Sequence, residues 1–260
     1  MTDLIDLSHV LFSDQMNFVD FVETDDICSQ GVGEAYRAAP EFPPHNATLN
    51  LLPPTYYSLG NGIADNRRIN DTVLKIAADW KGCAFGVAEP KYGDCAREEI
   101  HRIASLGAKG VVWSPRAQGV FGNDMHMISL CRLVAELGMV SLIRSAPYSI
   151  NESLMRIWDL AANCVDAPMV ALGALVSWEN IQTIQQKPGG PPNLLYDISG
   201  ISTTRDLESV VAAVGPARVL FGSGGGRFLR STLELVQSCA FDAGARDVIL
   251  HGNAASLLKL

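Results

Sequence analysis

The chain has 260 residues, of which 48% are hydrophobic and 18% charged, with a formal net charge of −8. That length suits one α/β barrel around a single large core, and the apolar content excludes a disordered protein. An acidic balance with no Lys/Arg cluster argues against nucleic acid or an anionic membrane as partner, which leaves a small molecule as the default ligand.

The longest apolar stretches, such as Met139 to Ile143 and Met169 to Val176, fall far short of the roughly 20 residues that a membrane span needs. The N-terminal Met1-Thr2-Asp3-Leu4-Ile5-Asp6 has neither a basic region nor a small-residue cleavage site, so a cytoplasmic protein is expected. Six cysteines (28, 83, 95, 131, 164 and 239) form no C-x-x-C pair and have no histidine at zinc-like spacing. They read as reduced, mostly buried small hydrophobes.

In chain order, eight strands are expected: Leu4 to His9, Ala47 to Leu52, Cys83 to Ala88, Gly110 to Ser114, Val140 to Arg144, Met169 to Leu175, Leu194 to Ile198, and Val219 to Ser223. From residue 82 onward these runs alternate with amphipathic helical segments, the pattern of parallel βαβ units. Ala96, Ile100, Ile103 and Ala104, then Met127, Leu130, Cys131 and Val134, then Leu207, Val210, Val211 and Val214 recur at helical spacing. Stop glycines follow at Gly107, Gly138 and Gly215, and Thr203 with Asp206 reads as a capping box opening the seventh helix. The Asp-, Pro- and Gly-rich stretch from Phe12 to Pro44 fits neither period and reads as a long insertion after the first strand, of the kind that forms lids or oligomer contacts. The expected architecture is α/β, one (β/α)8 TIM barrel over residues 1–260, with self-association left open.

The segment Arg218-Val219-Leu220-Phe221-Gly222-Ser223-Gly224, with Gly252-Asn253-Ala254-Ala255-Ser256-Leu257-Leu258 near the end of the chain, resembles the closing signature of the amidohydrolase-2 (amidohydrolase-related) family. Asn193 to Gly200 looks like that family's seventh-strand element and Gly107 to Val111 like its fourth-strand entry. The resemblance implies an amidohydrolase-like barrel, in a group where hydrolases and decarboxylases both occur. Metal-using members carry Asp-x-His-x-His on the first strand, a further His on the fifth and Gly-Ser-Asp on the eighth. The matching positions here hold Ser8 and Val10, Arg144, and Gly224. Zinc-type catalysis needs at least three protein ligands, and a guanidinium repels a cation, so no metal and no cofactor is expected.

Candidate site residues follow from the rule that barrel enzymes build their sites at strand C-termini. Asp197, ending the seventh strand, could serve as a general base or as a partner of Arg144. Arg144, ending the fifth, could anchor a carboxylate or oxyanion, or be taken up by an internal pair with Asp197 or Asp6. Ser8 and His9 complete the catalytic candidates; if Ser8 faces the barrel interior, strand alternation turns His9 toward the helices. Gly222-Ser223-Gly224-Gly225-Gly226-Arg227 after the eighth strand could hold an anion on backbone N–H groups, or could simply be a tight βα connection. Trp113 and Arg116 after the fourth strand could wall and anchor a planar substrate, and Glu89 and Lys91 after the third are weaker candidates. His45, His101, His126 and His251 have no partner at triad or zinc spacing.

Two functional classes remain open on these residues. One is a metal-independent hydrolase of a lactone or cyclic acid, or a lyase or decarboxylase, acting on a small carboxylated substrate. The other is an inactive relative that binds a small molecule or serves as a scaffold. A metalloenzyme with relocated ligands such as His9, Glu89 and Asp197 is a third, lesser reading.

Overall fold

A computed structural model describes residues 4–10, 47–52, 62–80, 82–187 and 189–260. The expected insertion from Phe12 to Pro44 lies outside the described residues. In chain order the main elements are β1 (Leu4–Val10), β2 (Ala47–Leu52), α1 (Ile63–Trp80), β3 (Phe85–Val87), α2 (Asp94–Ser105), β4 (Gly110–Trp113), α3 (Pro115–Gln118), α4 (Met125–Glu136), β5 (Val140–Arg144), α5 (Leu154–Asn163), β6 (Met169–Leu172), α6 (Trp178–Gln186), β7 (Leu194–Asp197), α7 (Thr204–Val214), β8 (Val219–Leu220), α8 (Gly226–Ser238), α9 (Ala243–Asp247) and α10 (Asn253–Leu258).

The strands form a (β/α)8 barrel. β3 to β8 are hydrogen-bonded in sequence order, every pair parallel, and β1 pairs in parallel with β2. β1 reaches the other end of the sheet through Leu7 N–H, which donates to Phe221 O at 3.0 Å just beyond β8. A sheet of parallel strands joined by helices is covered on both faces, and here its two ends meet through that bond.

Two hydrophobic layers follow from the two-residue period of the strands. Ile5, Leu7, Val112, Leu142, Val170, Leu172 and Leu220 gather in one cluster with Ala254 and Leu258 of α10, so the last helix packs on the barrel's inner core. The alternate residues Val111, Trp113, Ile143, Ala171, Tyr196 and Phe221 pack against Ile100, Ile103, Met127, Leu160 and Val210 of the helices. Helix caps match the sequence pattern: Thr203 Oγ1 accepts from Asp206 N–H at the start of α7, and Gly107, Gly138 and Gly215 have positive φ.

Strand ends are shorter than the apolar runs suggest. β6 was expected to reach Leu175 but stops at Leu172, where Gly173 takes φ 66° and opens a 3-10 turn over Ala174–Val176. β8 was expected to reach Ser223 but pairs only over Val219–Leu220. Hydrophobicity reports burial, and these residues stay buried after the ladder has ended.

The β2–β3 junction is bridged by a side chain. Asn70 of α1 donates Nδ2–H to Val87 O at 2.9 Å and accepts Val87 N–H on Oδ1 at 2.7 Å, as a neighbouring strand's peptide would. The same Nδ2 donates to Glu99 Oε1 at 2.7 Å, and buried Glu99 pairs with Arg102. Asn70→Leu should therefore strand a buried N–H and weaken a buried carboxylate's support, costing about 3 kcal/mol in a denaturant-unfolding measurement, several-fold more than Asn163→Leu on the surface.

Candidate active site

All eight strands present their C-terminal ends to one face, and a polar network spans the ends of β1, β7 and β8 there. Asp6 and Asp197 are both fully buried. Asp197 Oδ2 accepts from Ser8 Oγ–H at 2.6 Å, while its Oδ1 accepts from Ser199 Oγ–H at 2.7 Å and Gly173 N–H at 2.9 Å. Asp6 Oδ2 accepts from Ser223 Oγ–H at 2.6 Å and its Oδ1 from Ser223 N–H at 2.8 Å. Gly224 N–H in turn donates to Ser8 Oγ at 3.3 Å.

Burial pushes the Asp197 carboxyl above the usual carboxylate range; its Ser8, Gly173 and Ser199 donors pull it down, and the nearby Asp6 pushes it up again. Desolvation disfavours the charged form, so this carboxyl holds its proton to higher pH than one in water, as a proton donor requires. The left-handed turn at Gly173 points its N–H at Asp197. Gly222 is required for a different reason, since a Cβ there would fall inside contact distance of Ser8 Oγ and Asp197 Oδ2.

Beside this network lies a cavity of about 500 Å³ over the ends of β6, β7 and β8. Ser199, Ser223 and Thr232 supply hydroxyls to its wall, and Val176, Ile201 and Phe228 supply apolar surface. Ser199 and Ser223 belong to both structures, so each hydroxyl connects the cavity to one buried carboxylate. The described lining carries no charged side chain.

The structure thus brings together Ser8, Asp197, Ser223 and Gly224 from the sequence candidates, with Gly225 as N-cap of α8. It places others elsewhere. Trp113 is fully buried between strands and helices, where its Nε1–H donates to Ser141 Oγ at 3.2 Å. Arg116 lies 3.6 Å from Glu152 Oε1 through its Nε, and its backbone N–H donates to Glu152 Oε2 at 3.1 Å. Arg144 is half-buried at the end of β5 and acts electrostatically on the same Glu152, whose carboxyl is raised by burial and lowered by both arginines. The side chains of His9 and Arg227 lie outside the described residues.

Sequence reasoning missed Glu152, which sits in an aperiodic loop, and Ser199, whose place two residues after Asp197 is its only signal. It also underrated Glu89. This residue follows β3 and is fully buried, yet neither carboxylate oxygen meets a hydrogen-bond donor. Burial pushes its carboxyl up to about 7, with the Lys91 N–H and ammonium offsetting part of the cost. Among the described residues no group of three or more His, Cys, Asp or Glu side chains is arranged to hold a metal ion. No described helix is long and apolar enough to cross a membrane.

No family model and no curated protein sequence matches the chain. Solved structures do. A 2,6-dihydroxybenzoate decarboxylase from Rhizobium matches with a TM-score of 0.76 and 14% identity, covering 100% of this chain and 99% of that one. The 5-carboxyvanillate decarboxylase of Sphingomonas paucimobilis gives 0.72 and 16%, covering 100% of both chains. That of Novosphingobium aromaticivorans, complexed with manganese and 4-hydroxy-3-methoxy-5-nitrobenzoic acid, gives 0.77 and 14%, covering 100% of this chain and 96% of that one. The barrel shares its fold with these structures. At such identities the likeness is one of fold.

Gly222→Ala should collapse the Ser8–Asp197 contact and cost roughly 2–4 kcal/mol in stability, because the atoms in its way are themselves pinned by short hydrogen bonds. Glu89→Gln should do the opposite. With a folded value of about 7 against an ordinary 4.5, folded Glu89 keeps a proton that the unfolded chain releases, so its contribution to stability falls as pH rises from 4.5 to 7 and is level above. Chemical denaturation at pH 8 should find Glu89→Gln more stable than wild type by roughly 1–3 kcal/mol, and near pH 4 should find little difference.

Proposed function

We propose that this chain is a lyase of the decarboxylase type, acting without a divalent metal on a small carboxylated ring compound. The observation that carries the reading is the buried, raised Asp197 carboxyl, linked by Ser199 Oγ at 2.7 Å to the wall of the cavity over β6–β8. The full-length likeness of fold to decarboxylases of aromatic acids supports the substrate class.

The donor set at the mouth does not fit the manganese held by one of those neighbours. Ser8 and Ser223 spend their O–H groups on Asp197 and Asp6, whose oxygens already accept at least six hydrogen bonds from these serines, Ser199 and backbone N–H groups. Arg144 adds a fixed positive charge at the end of β5, which a neighbouring dication would oppose. No step below passes through a metal.

In this reading Asp197, in its acid form, delivers its proton by way of Ser199 to the ring carbon that bears the carboxylate. The carbon–carboxylate bond then breaks, its electron pair remains with the ring as the new C–H bond forms, carbon dioxide leaves, and the Asp197 carboxylate regains a proton from solvent. Ser8 holds the carboxyl in place. Ser223 and Gly224, with Gly225 and Arg227 at the start of α8, bind the substrate's polar groups. Arg144 anchors its carboxylate, with Glu152 and Arg116 fixing the guanidinium's position. His9 stays a candidate from its sequence position alone, and Trp113 is not carried forward because its indole is committed to Ser141.

A second reading, an inactive small-molecule binder, is favoured by the same completeness: carboxylates whose oxygens are already taken up by protein donors can be purely structural. Carbon dioxide release from a panel of hydroxylated benzoates, with and without chelator, separates the two. Turnover should survive chelation, fall by about 10²–10⁴ in Asp197→Asn, and decline as pH rises through the raised Asp197 range. Arg144→Lys should raise KM more than it lowers kcat. Saturable binding of the same acids with no turnover would establish the binder, and activity abolished by chelator and restored by manganese would overturn the metal-free reading.

A further inference from the structure

Two asparagines one helical turn apart on α1, Asn66 and Asn70, face the open edge of β3 and the residues just beyond it. Asn70 uses both ends of its amide on Val87 and Glu99. Asn66 Oδ1 accepts Glu89 N–H at 3.0 Å, which fixes the orientation of its amide and leaves the Nδ2–H groups pointing away from that bond. Asn66 is fully buried and its Nδ2 has no partner. Glu89 is fully buried and both its oxygens have none.

Three unpartnered polar atoms on two residues joined by a hydrogen bond are costly, since each forfeits the solvation it had in the unfolded chain. Nearby side chains could have relieved the cost and do not. The Gln118 Nε2–H goes to Ala88 O at 2.7 Å, while Lys91 and the N–H of the same residue act on Glu89 without reaching hydrogen-bond geometry. Glu89 and Asp65 both push the nearby Tyr92 phenol up, and no Tyr92 hydroxyl bond closes on Glu89. The pair offers a ligand two carboxylate acceptors and one amide donor. An anionic group would be repelled by ionised Glu89, and an ammonium would leave Asn66 Nδ2 unanswered. A group that both donates and accepts answers both.

We propose that Glu89 and Asn66 form a second ligand subsite, on the β3 side of the mouth, that takes a neutral hydroxyl or primary carboxamide. It is separate from the cavity over β6–β8 and does not depend on the decarboxylase reading. Its amide donor holds the ligand's oxygen, and the carboxylate takes the ligand's O–H or N–H.

The test follows the carboxyl carbon of Glu89 by NMR in protein labelled at glutamate, with Glu89→Gln identifying the signal. Acetamide and phenol serve as probes and acetate as the control. A bound donor favours the charged carboxylate, so acetamide or phenol should move the Glu89 titration to lower pH in a saturable way, and acetate should not. Which of the two acts at lower concentration decides between carboxamide and hydroxyl. Asn66→Leu should raise the concentration needed by about tenfold, the loss expected for one hydrogen bond. Thermal unfolding of the same variants checks that both remain folded, and the expected stabilisation of Glu89→Gln makes loss of binding there a local effect. A Glu89 titration indifferent to both probes, an equal response to acetate, or an undiminished response in Asn66→Leu would each overturn the subsite.

Discussion

Placing two carboxylates out of water close enough to act on each other is costly, and the mouth of this barrel is built around meeting that cost. Asp6 and Asp197 sit on strands at opposite ends of the sequence; across the β1–β8 closure Ser8 answers Asp197 with its hydroxyl, and Ser223 answers Asp6 with its hydroxyl and its N–H. Removing one donor would leave part of a buried charge unmet, so the interaction ties the first strand to the last two. The backbone bond from Leu7 to Phe221 lies within the same join. Barrel closure and site construction are one event here: the donors that make the carboxylates tolerable are the hydroxyls that border the cavity.

Charge is distributed unevenly around the mouth. Over β6 to β8 the cavity wall is hydroxyl and hydrocarbon, with its carboxylates one layer beneath. Over β4 and β5, Arg116 and Arg144 share Glu152, which is itself buried. A guanidinium held by a buried carboxylate is oriented without losing all its donors, whereas a guanidinium in the neutral cavity would have to shed its water. The hydroxyl and hydrocarbon wall of the cavity and the arginines that share Glu152 therefore occupy different parts of the mouth.

The barrel was legible because buried parallel strands are nearly continuous apolar runs, and because Thr203 with Asp206 and the glycines at 107, 138 and 215 mark helix ends by local chemistry. The convergence of Ser8, Asp197, Ser223 and Gly224 was legible from topology alone. Which way β1 faces was not. Strand alternation would set Ser8 opposite to Leu7, yet Leu7 joins the inner cluster while Ser8 reaches Asp197. The pairing of β1 with β2 shifts register between Asp6 and His9, and a period-two argument does not survive such an irregularity. Glu152 and the Asn66–Asn70 pair were invisible for another reason: their partners are far off in sequence or on the backbone, and single residues carry no periodic signature of either.

Asp197 and Glu89 show how one mouth can hold two buried carboxyls in opposite states of support. Both are fully buried and both are raised, with desolvation the larger cause in each. Three protein donors converge on Asp197, so its position is fixed and its proton can leave only along hydroxyls that already touch it. No donor meets Glu89, so its proton and its orientation are open to whatever arrives. A folded chain that provides for the first and not for the second has placed its rigidity at β7 and β8 and its unmet polarity at β3. A glutamine of the same shape at position 89 would stabilise the fold above the titration range of Glu89, so the glutamate there carries a cost that the protein's own donors do not offset.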